Sequence, residues 1–569
     1  MQNPMLSSSD SPLPKPRRER LYLLLVVGLI HFPLLLSRCV LWDSVPIVHA
    51  LDEQHDEASV LKLFTDAGSP PAGWLHIGLA RLTNYVVGGK FVVFACILGI
   101  AVGVFQLALA ARQLSRTEAF FIAILSVAYP FYSLWQELIM LPYAVCILFF
   151  VAAAVLYLRR VVDTTRPHWI SALLAVGLFC VSFTIQSLLV LFYALFVYYY
   201  IVFDGSWSRS SVVAFLKRHG LLLLLPIVAF AGKSRLFPQD GRYTEYNQVK
   251  MSISNLVKGV VVNPKRIVLD PLVDFVRWGA NQPWFFLECF AVALVSGVLV
   301  LWYGRRLPTV PMAFARCAKL LGFAALMFLA GIFAYSAVEK YPTYDHFECR
   351  HGILASFAVA LGLVVLLRFI CRRDGVYRVA VGLVIVVCAT LQLRNYILWE
   401  NRFNKGELLV EKLRELPEPD TDFIALDDQT HLGMSELWRG YDVNWLLMHA
   451  WGHERHFGFD AIELTTDDHS QVPRLSTATK ELFEWQPRKF YILKELKEPE
   501  SREPQMVAEI SRITLDTAQP ISEWSLYWQS VGSRFGIHPS DRASLLKAEI
   551  KRERLDATLS PRDNSAKIQ

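Results

Sequence analysis

Charge is scarce in this chain. Asp, Glu, Lys and Arg make up 19% of its 569 residues, against roughly 25% in an ordinary soluble protein. The deficit falls in long apolar runs, which excludes a soluble globular chain. Cysteine stops at Cys388, so the C-terminal region has no disulfide framework. No Asn-x-Ser/Thr acceptor occurs anywhere, which leans toward a bacterial source. There is no P-loop, no GxGxxG after a strand and no GxSxG. Nucleotide-driven chemistry is therefore not indicated. The formal net charge of +6 does not point to nucleic acid, because the basic residues lie in short clusters between apolar runs.

What is present is a series of apolar segments near the twenty residues a bilayer needs. Eleven spans are expected, over 21–41, 89–111, 117–134, 139–158, 168–184, 187–203, 219–235, 284–302, 319–337, 352–370 and 377–397. The fifth and sixth are short, and read as either a hairpin or one kinked element. Residues 1–20 form a polar leader, and no small-residue cleavage site follows the first span, so a cleaved signal peptide is not expected. Loops rich in Arg112 and Arg116, Arg159 and Arg160, Lys217 and Arg218, Arg305 and Arg306, and Arg372 and Arg373 alternate with basic-poor loops. The positive-inside rule then puts the N-terminus inside and the C-terminal region outside. The expected location is a bacterial inner membrane, with function on the non-cytoplasmic side.

The outer loop 236–283 carries Val257, Val260 and Val261 among basic residues, as an amphipathic interfacial helix or a plain surface loop would. Residues 400–569 change character. Apolar runs shorten, Gly406 to Leu416 has helical periodicity, and Asp422–Leu426 and Lys489–Leu493 read as strands. The fold class is thus a polytopic α-helical membrane module, 21–399, followed by a soluble α/β or α+β domain, 400–569.

The first outer loop, 42–90, is acidic. It holds Asp52-Glu53 and Asp56-Glu57, then Asp66, Gly68 and Pro70-Pro71-Ala72-Gly73-Trp74-Leu75-His76. Asp56 stands where an N-cap would open a helix from Glu57 to Phe64, and acidic residues favour this face in any case. The functional reading instead makes Asp56 a general base poised at the membrane edge.

A DE pair after span one, then an acidic residue, Gly68 and Pro70-Pro71 leading to Trp74, resembles the first outer loop of GT-C-type glycosyltransferases. The resemblance is to the protein O-mannosyltransferase/aminoarabinose transferase-like group, with the specific motif covering about 56–76 and the general layout the membrane region. It implies that Asp56 is the catalytic acid, assisted by Glu57, and that the donor is a polyprenyl-phosphate sugar. The acceptor would be a lipid, glycan or protein at the membrane lipid surface, and transfer would be inverting, of a hexose or pentose. The resemblance leaves a divalent metal open. The chain departs from the pattern in three places. Asp52-Glu53 is a second DE pair, Ala58-Ser59 stand where an aromatic often follows DE, and Ser69 stands where a basic residue often precedes PP.

A lipid-phosphate donor needs cations. Lys233 and Arg235 at the exit of span seven and Arg350-His351 before span ten are the candidates, the plain alternative being snorkelling anchors. Asp52, Glu53, His76, Glu137 and Tyr344 are candidate pocket residues, the alternative being interface anchors and exposed acids. His449, His453 and His456 have part of a zinc-ligand spacing but lack the Glu of HExxH, so no metal site is assigned. Two other function classes remain open. A transporter or flippase of a lipid-linked glycan would need ionisable residues deep in the spans, where Glu288 is the main example. A scaffold would carry no converging acids and bases.

Overall fold

A computed structural model of the chain describes residues 17–111, 113–162, 168–203, 208–240, 253–344, 346–421, 423–434, 438, 440–452, 456–461, 464–466, 473–475, 505–518, 520–537 and 542–558. The apolar segments fold as helices, the form in which a backbone satisfies its own hydrogen bonds in hydrocarbon. The first is split into α1 (Arg17–His31) and α2 (Pro33–Leu36), because Pro33 has no N–H to continue the ladder. Short α3 (Ser44–Val48), α4 (Glu57–Asp66) and α5 (Pro70–Leu82) occupy the first outer loop. The bundle continues with α6 (Tyr85–Ala110), α7 (Arg116–Ala128), α8 (Leu141–Val162), α9 (Trp169–Ser182), α10 (Ser187–Phe203), α11 (Arg209–His219) and α12 (Leu225–Leu236). After α13 (Ile253–Pro264) and α14 (Asp270–Asn281) come α15 (Pro283–Gly304), α16 (Phe314–Ser336), α17 (Ile353–Ile370) and α18 (Asp374–Leu413).

Among the described residues, seven helical stretches are long and apolar enough to cross a membrane: Tyr85–Ala110, Leu138–Leu158, Arg209–Leu236, Pro283–Gly304, Phe314–Ser336, Phe347–Ile370 and Asp374–Leu413. The helices α9 and α10 are apolar but shorter, and a turn at Phe183–Gln186 separates them, so the ambiguous stretch 168–203 is two helices. In the loop 236–283, α13 and α14 leave Val257, Val260, Val261 and Val276 exposed.

The last expected span stops at 397, yet α18 continues for another sixteen residues, to Leu413. Nothing in Arg394–Lys405 breaks a helix, and the extension is buried by protein instead of lipid. Its Leu408, Leu409 and Leu413 pack with Ile424 and Leu426 of β1 (Phe423–Asp428) and with Val443, Leu446 and Leu447 of α19 (Gly440–Trp451). The passage from membrane module to domain is therefore a rigid helix, not a linker. The other domain elements are β2 (Phe457–Asp460), β3 (Leu464–Thr466), β4 (Pro473–Leu475), β5 (Gln505–Thr517), α20 (Glu523–Arg534) and β6 (Leu546–Thr558). One sheet has the order β2-β1-β5-β6, with β1 parallel to both neighbours and β5 antiparallel to β6, while β3 and β4 form a separate pair. The other expected strand, Lys489–Leu493, lies outside the described residues.

Buried polar contacts fasten the domain to the bundle. Glu400 on α18 accepts from Ser37 Oγ at 2.6 Å, from Arg38 N at 3.2 Å and from Arg534 Nη2 at 2.5 Å. The Trp42 amide donates to Asp442 at 2.8 Å, and Arg402 lies between the Trp42 and Trp438 rings. Gly433 has φ +74°, and a Cβ there would stand 2.7 Å from the Arg402 backbone nitrogen, so only glycine lets the two segments meet.

Candidate active site

The first outer loop is folded, not loose. The Asp56 side chain caps α4, accepting from Ser59 N at 3.1 Å and from the Ser59 hydroxyl. The hydroxyl first, and the backbone N–H second, hold this carboxyl below the usual carboxylate range, so it is ionised at neutral pH. Glu57 is gripped at both oxygens by Arg81 of α5, at 2.7 and 2.5 Å, and that guanidinium lowers its proton affinity. Arg81 was not among the expected residues. It sits one helix away, and nothing in its own sequence neighbourhood marks it.

The upstream acids have different settings. Glu53 bridges His49, at 2.5 Å, and His449 of the domain, at 3.0 Å. Partial burial first, and the Glu53 charge second, raise the proton affinity of Asp52, while His55 opposes them. The two DE pairs are thus chemically unlike. One carboxylate is stabilised as the anion by a cap, and the other is pushed toward its protonated form. His76 is buried against Phe64 and bonds the Tyr85 hydroxyl through Nδ1 at 2.6 Å, while Nε2 has no partner among the described residues. Burial lowers its pKa to about 3, so the ring is neutral.

The far end of α4 reaches the cations. Gly68 takes φ +67°, where a Cβ would approach Phe237 O to 2.9 Å, and Asp240 N donates to Asp66 O at 2.9 Å. This close approach seats the Ser69-Pro70 turn on the end of α12. Lys233 Nζ then lies 3.3 Å from Ser69 Oγ and 2.8 Å from Thr184 O in the α9–α10 turn. Three residues on, Ser187 meets the Tyr335 hydroxyl at 3.3 Å, and the Tyr335 ring packs on His351. Arg350 Nε lies 3.2 Å from His351 Nε2, with the guanidinium 3.9 Å over Phe347. Lys233 thus meets the outer-loop turn directly, while His351 and Arg350 meet each other on the far side of Tyr335. Arg235 is exposed.

Tyr344 is buried against α18, its hydroxyl accepting from Arg394 at 3.1 Å and its carbonyl from Asn395 at 3.1 Å. Arg394 also lies over Trp278, 5.2 Å from the ring centre. It is a cation that the sequence reading passed over, because it falls inside the last apolar run. Asp56, by contrast, is at the opposite end of the ten-residue α4 from Ser69, about 15 Å along the axis. At the Ser69 end of α4 stands Asp66, which Lys62 holds at 2.8 Å.

Glu137 is fully buried between α7 and α8. It accepts from Cys39 Sγ at 3.1 Å and from Leu41 N at 2.9 Å, while Lys90 donates to the Cys39 and Gln136 carbonyls. Burial pushes its pKa up to about 7. It pins the start of the outer loop and has no open face of its own.

Among the described residues, no group of three or more His, Cys, Asp or Glu side chains is placed to share a metal ion. His449 bonds Glu53 and Trp445 O, His456 bonds Thr421 O and Glu418, and His453 lies outside the described residues.

No family model matches the chain, and no curated protein matches it. A crystal structure of ArnT from Cupriavidus metallidurans in the apo state is similar at 11% identity, with a TM-score of 0.30, over 87% of this chain and 92% of that one. A likeness of that size leaves the family open.

Proposed function

We propose that this chain is a membrane glycosyltransferase of the GT-C type, moving a sugar from a polyprenyl-phosphate donor to a lipid, glycan or protein acceptor on the non-cytoplasmic face. The observation that supports the reading is the contact of Lys233 with the Ser69 turn of the outer loop and with the α9–α10 turn.

In the proposed reaction, Asp56 takes the proton of an acceptor hydroxyl while that oxygen bonds to the anomeric carbon. The bond from that carbon to the donor phosphate breaks, and the polyprenyl phosphate leaves with the electron pair. Lys233 and Arg350 meet the charge that builds on the phosphate, with Arg235 and His351 at the margin. Glu57 orients the base, and Asp52, Glu53, His76, Glu137 and Tyr344 shape the pocket or its walls. Asp56 and Lys233 stand at opposite ends of α4, so the reading requires the donor headgroup, or α4 itself, to close that gap on binding.

The cap gives the test its resolution. Asn caps a helix as well as Asp does, but it is no base. Transfer of radiolabelled sugar from a panel of polyprenyl-phosphate donors is measured for Asp56→Asn and Asp56→Ala in reconstituted protein. Loss of transfer in both, with normal folding in the Asn variant, supports the base. Full activity in Asp56→Asn leaves Asp56 as a cap alone.

A further inference from the structure

The loop 236–283 carries basic residues on the face of the membrane where they are scarce, and the proposed reaction uses none of those on α13 and the turn after it. Two of them converge on one aromatic ring. Lys258 Nζ of α13 lies 5.2 Å from the centre of the Tyr341 ring, and the guanidinium of Arg266, in the turn Lys265–Leu269, lies 5.8 Å from it. Neither cation has an ion pair among the described residues, and Glu339, close by in the sequence, pairs with neither. Lys265 and Arg277 differ, lying 3.9 Å from Asp270 and 3.9 Å from Asp274. The Tyr341 hydroxyl is shielded from solvent and has no hydrogen-bond partner among the described residues. Two unneutralised charges and a spare donor thus stand together.

The ground around them is apolar. One side of α13 is fastened to the end of α16, where Asn263 Nδ2 donates to Ser336 Oγ at 3.1 Å and Gly259 lets the backbone close on the same side chain. At about 100° per residue, Val257 and Val261 fall on the opposite side and Lys258 on the flank between. The two valines are 57% and 68% exposed. The Tyr129 hydroxyl, at the end of α7, donates to Ile267 O at 2.7 Å and fixes the turn that carries Arg266. A helix held along one side, apolar along the other and cationic on its flank suits a lipid surface, with its charges among the headgroups. Tyr344, on the same loop as Tyr341, meets α18 at Arg394 and Asn395, just short of the Glu400 clamp. The leaflet concerned is therefore the one nearest the domain.

We infer that Lys258, Arg266 and Tyr341 bind the headgroup phosphate of an anionic phospholipid in that leaflet, with its acyl chains against Val257 and Val261. The charges select the headgroup, since a phosphate whose charge is cancelled by its own choline gains less from two cations. The valines select a lipid over free phosphate, because only a lipid brings chains to cover them. The inference stands whether or not the chain transfers sugar.

The test places the full chain in nanodiscs of phosphatidylcholine doped with phosphatidylglycerol and reads the lipids retained on release by native mass spectrometry. Wild-type protein is expected to retain phosphatidylglycerol about tenfold over phosphatidylcholine. Lys258→Ala combined with Arg266→Ala should erase that preference, and Lys258→Arg combined with Arg266→Lys should keep it. Tyr341→Phe should lower it about threefold. Lys265→Ala removes a neighbouring charge that already has a partner, and should leave the preference intact. If the double alanine variant does not fold, Lys258→Ala alone, at an exposed side chain, decides. Equal retention of the two lipids by wild type, the same loss in Lys265→Ala as in the double variant, or displacement of phosphatidylglycerol by inorganic phosphate would each overturn the assignment.

Discussion

Lys233 Nζ lies 3.3 Å from Ser69 Oγ, joining residues 164 positions apart. The amine comes from the end of α12, and the hydroxyl from the turn ahead of Pro70. The resemblance leads one to expect a cation on the loop just before the prolines, where this chain has serine. The fold brings a cation to the same turn from a different helix.

Removing that amine should weaken donor binding more than it slows a bound donor. A charge-assisted hydrogen bond to phosphate is worth about 2 kcal/mol, which is roughly 30-fold in affinity. Lys233→Met is expected to raise the KM for the polyprenyl-phosphate sugar by that factor, and Lys233→Arg to recover most of it. Steady-state transfer assays over a donor series check this. An unchanged KM removes Lys233 from the donor site.

Asp52 should make stability depend on pH. Its folded proton affinity is raised, by burial and then by Glu53. The folded chain holds that proton more tightly than the unfolded chain, so the carboxyl penalises folding as pH rises through the ordinary carboxylate value near 3.9. The penalty is complete above the folded pKa and absent below the unfolded one. Asp52→Asn should therefore melt higher than wild type at pH 7, with the gap closing as pH falls through the carboxylate range. Thermal melts of both proteins against pH report it, and a gap that widens in acid contradicts the assignment.

Glu137 holds the segment from Cys39 to Leu41 in place. Glu137→Gln keeps the shape but turns one acceptor oxygen into a donor that faces donors already present. One buried group is left unsatisfied, a loss of about 2 kcal/mol. Denaturation in mild detergent should show that drop, together with faster proteolysis of the first outer loop. A variant as stable as wild type would mean that the loop is held elsewhere.

Arg534 and Glu400 clamp the domain to α18, at 8% and 0% side-chain exposure. Arg534→Met strands a buried carboxylate, for which about 3–5 kcal/mol is typical. Ser37 and Arg38 still donate to Glu400, so the lower figure is expected. Hydrogen exchange should rise first in α20 and β6. Exchange that rises uniformly over the bundle would point to global unfolding instead.

The helical positions were legible because their cause is local. A run of apolar residues in hydrocarbon has few conformations open to it, and composition alone marks α6, α15 and α16. The Asp56 cap was legible for the same reason, since a cap is a relation between a residue and the next turn. Arg394 and Arg402 were missed because they sit in a helix whose apolar run hid where lipid ends and protein begins. The end of α18 was missed likewise, as burial by a domain and burial by a bilayer leave similar apolar patterns.

By itself, then, the sequence determined a chain of apolar helices, the acidic loop after the first of them, and the charged domain at the end. These follow from neighbours a few positions apart and from the partition of side chains between water and hydrocarbon. Only the tertiary structure decided which cation meets the Ser69 turn, that Asp52 and Asp56 differ in proton affinity, and that Glu137 is walled in. Each of these depends on atoms brought together from remote parts of the chain. Burial and electrostatic fields act through space, and a linear string does not record them.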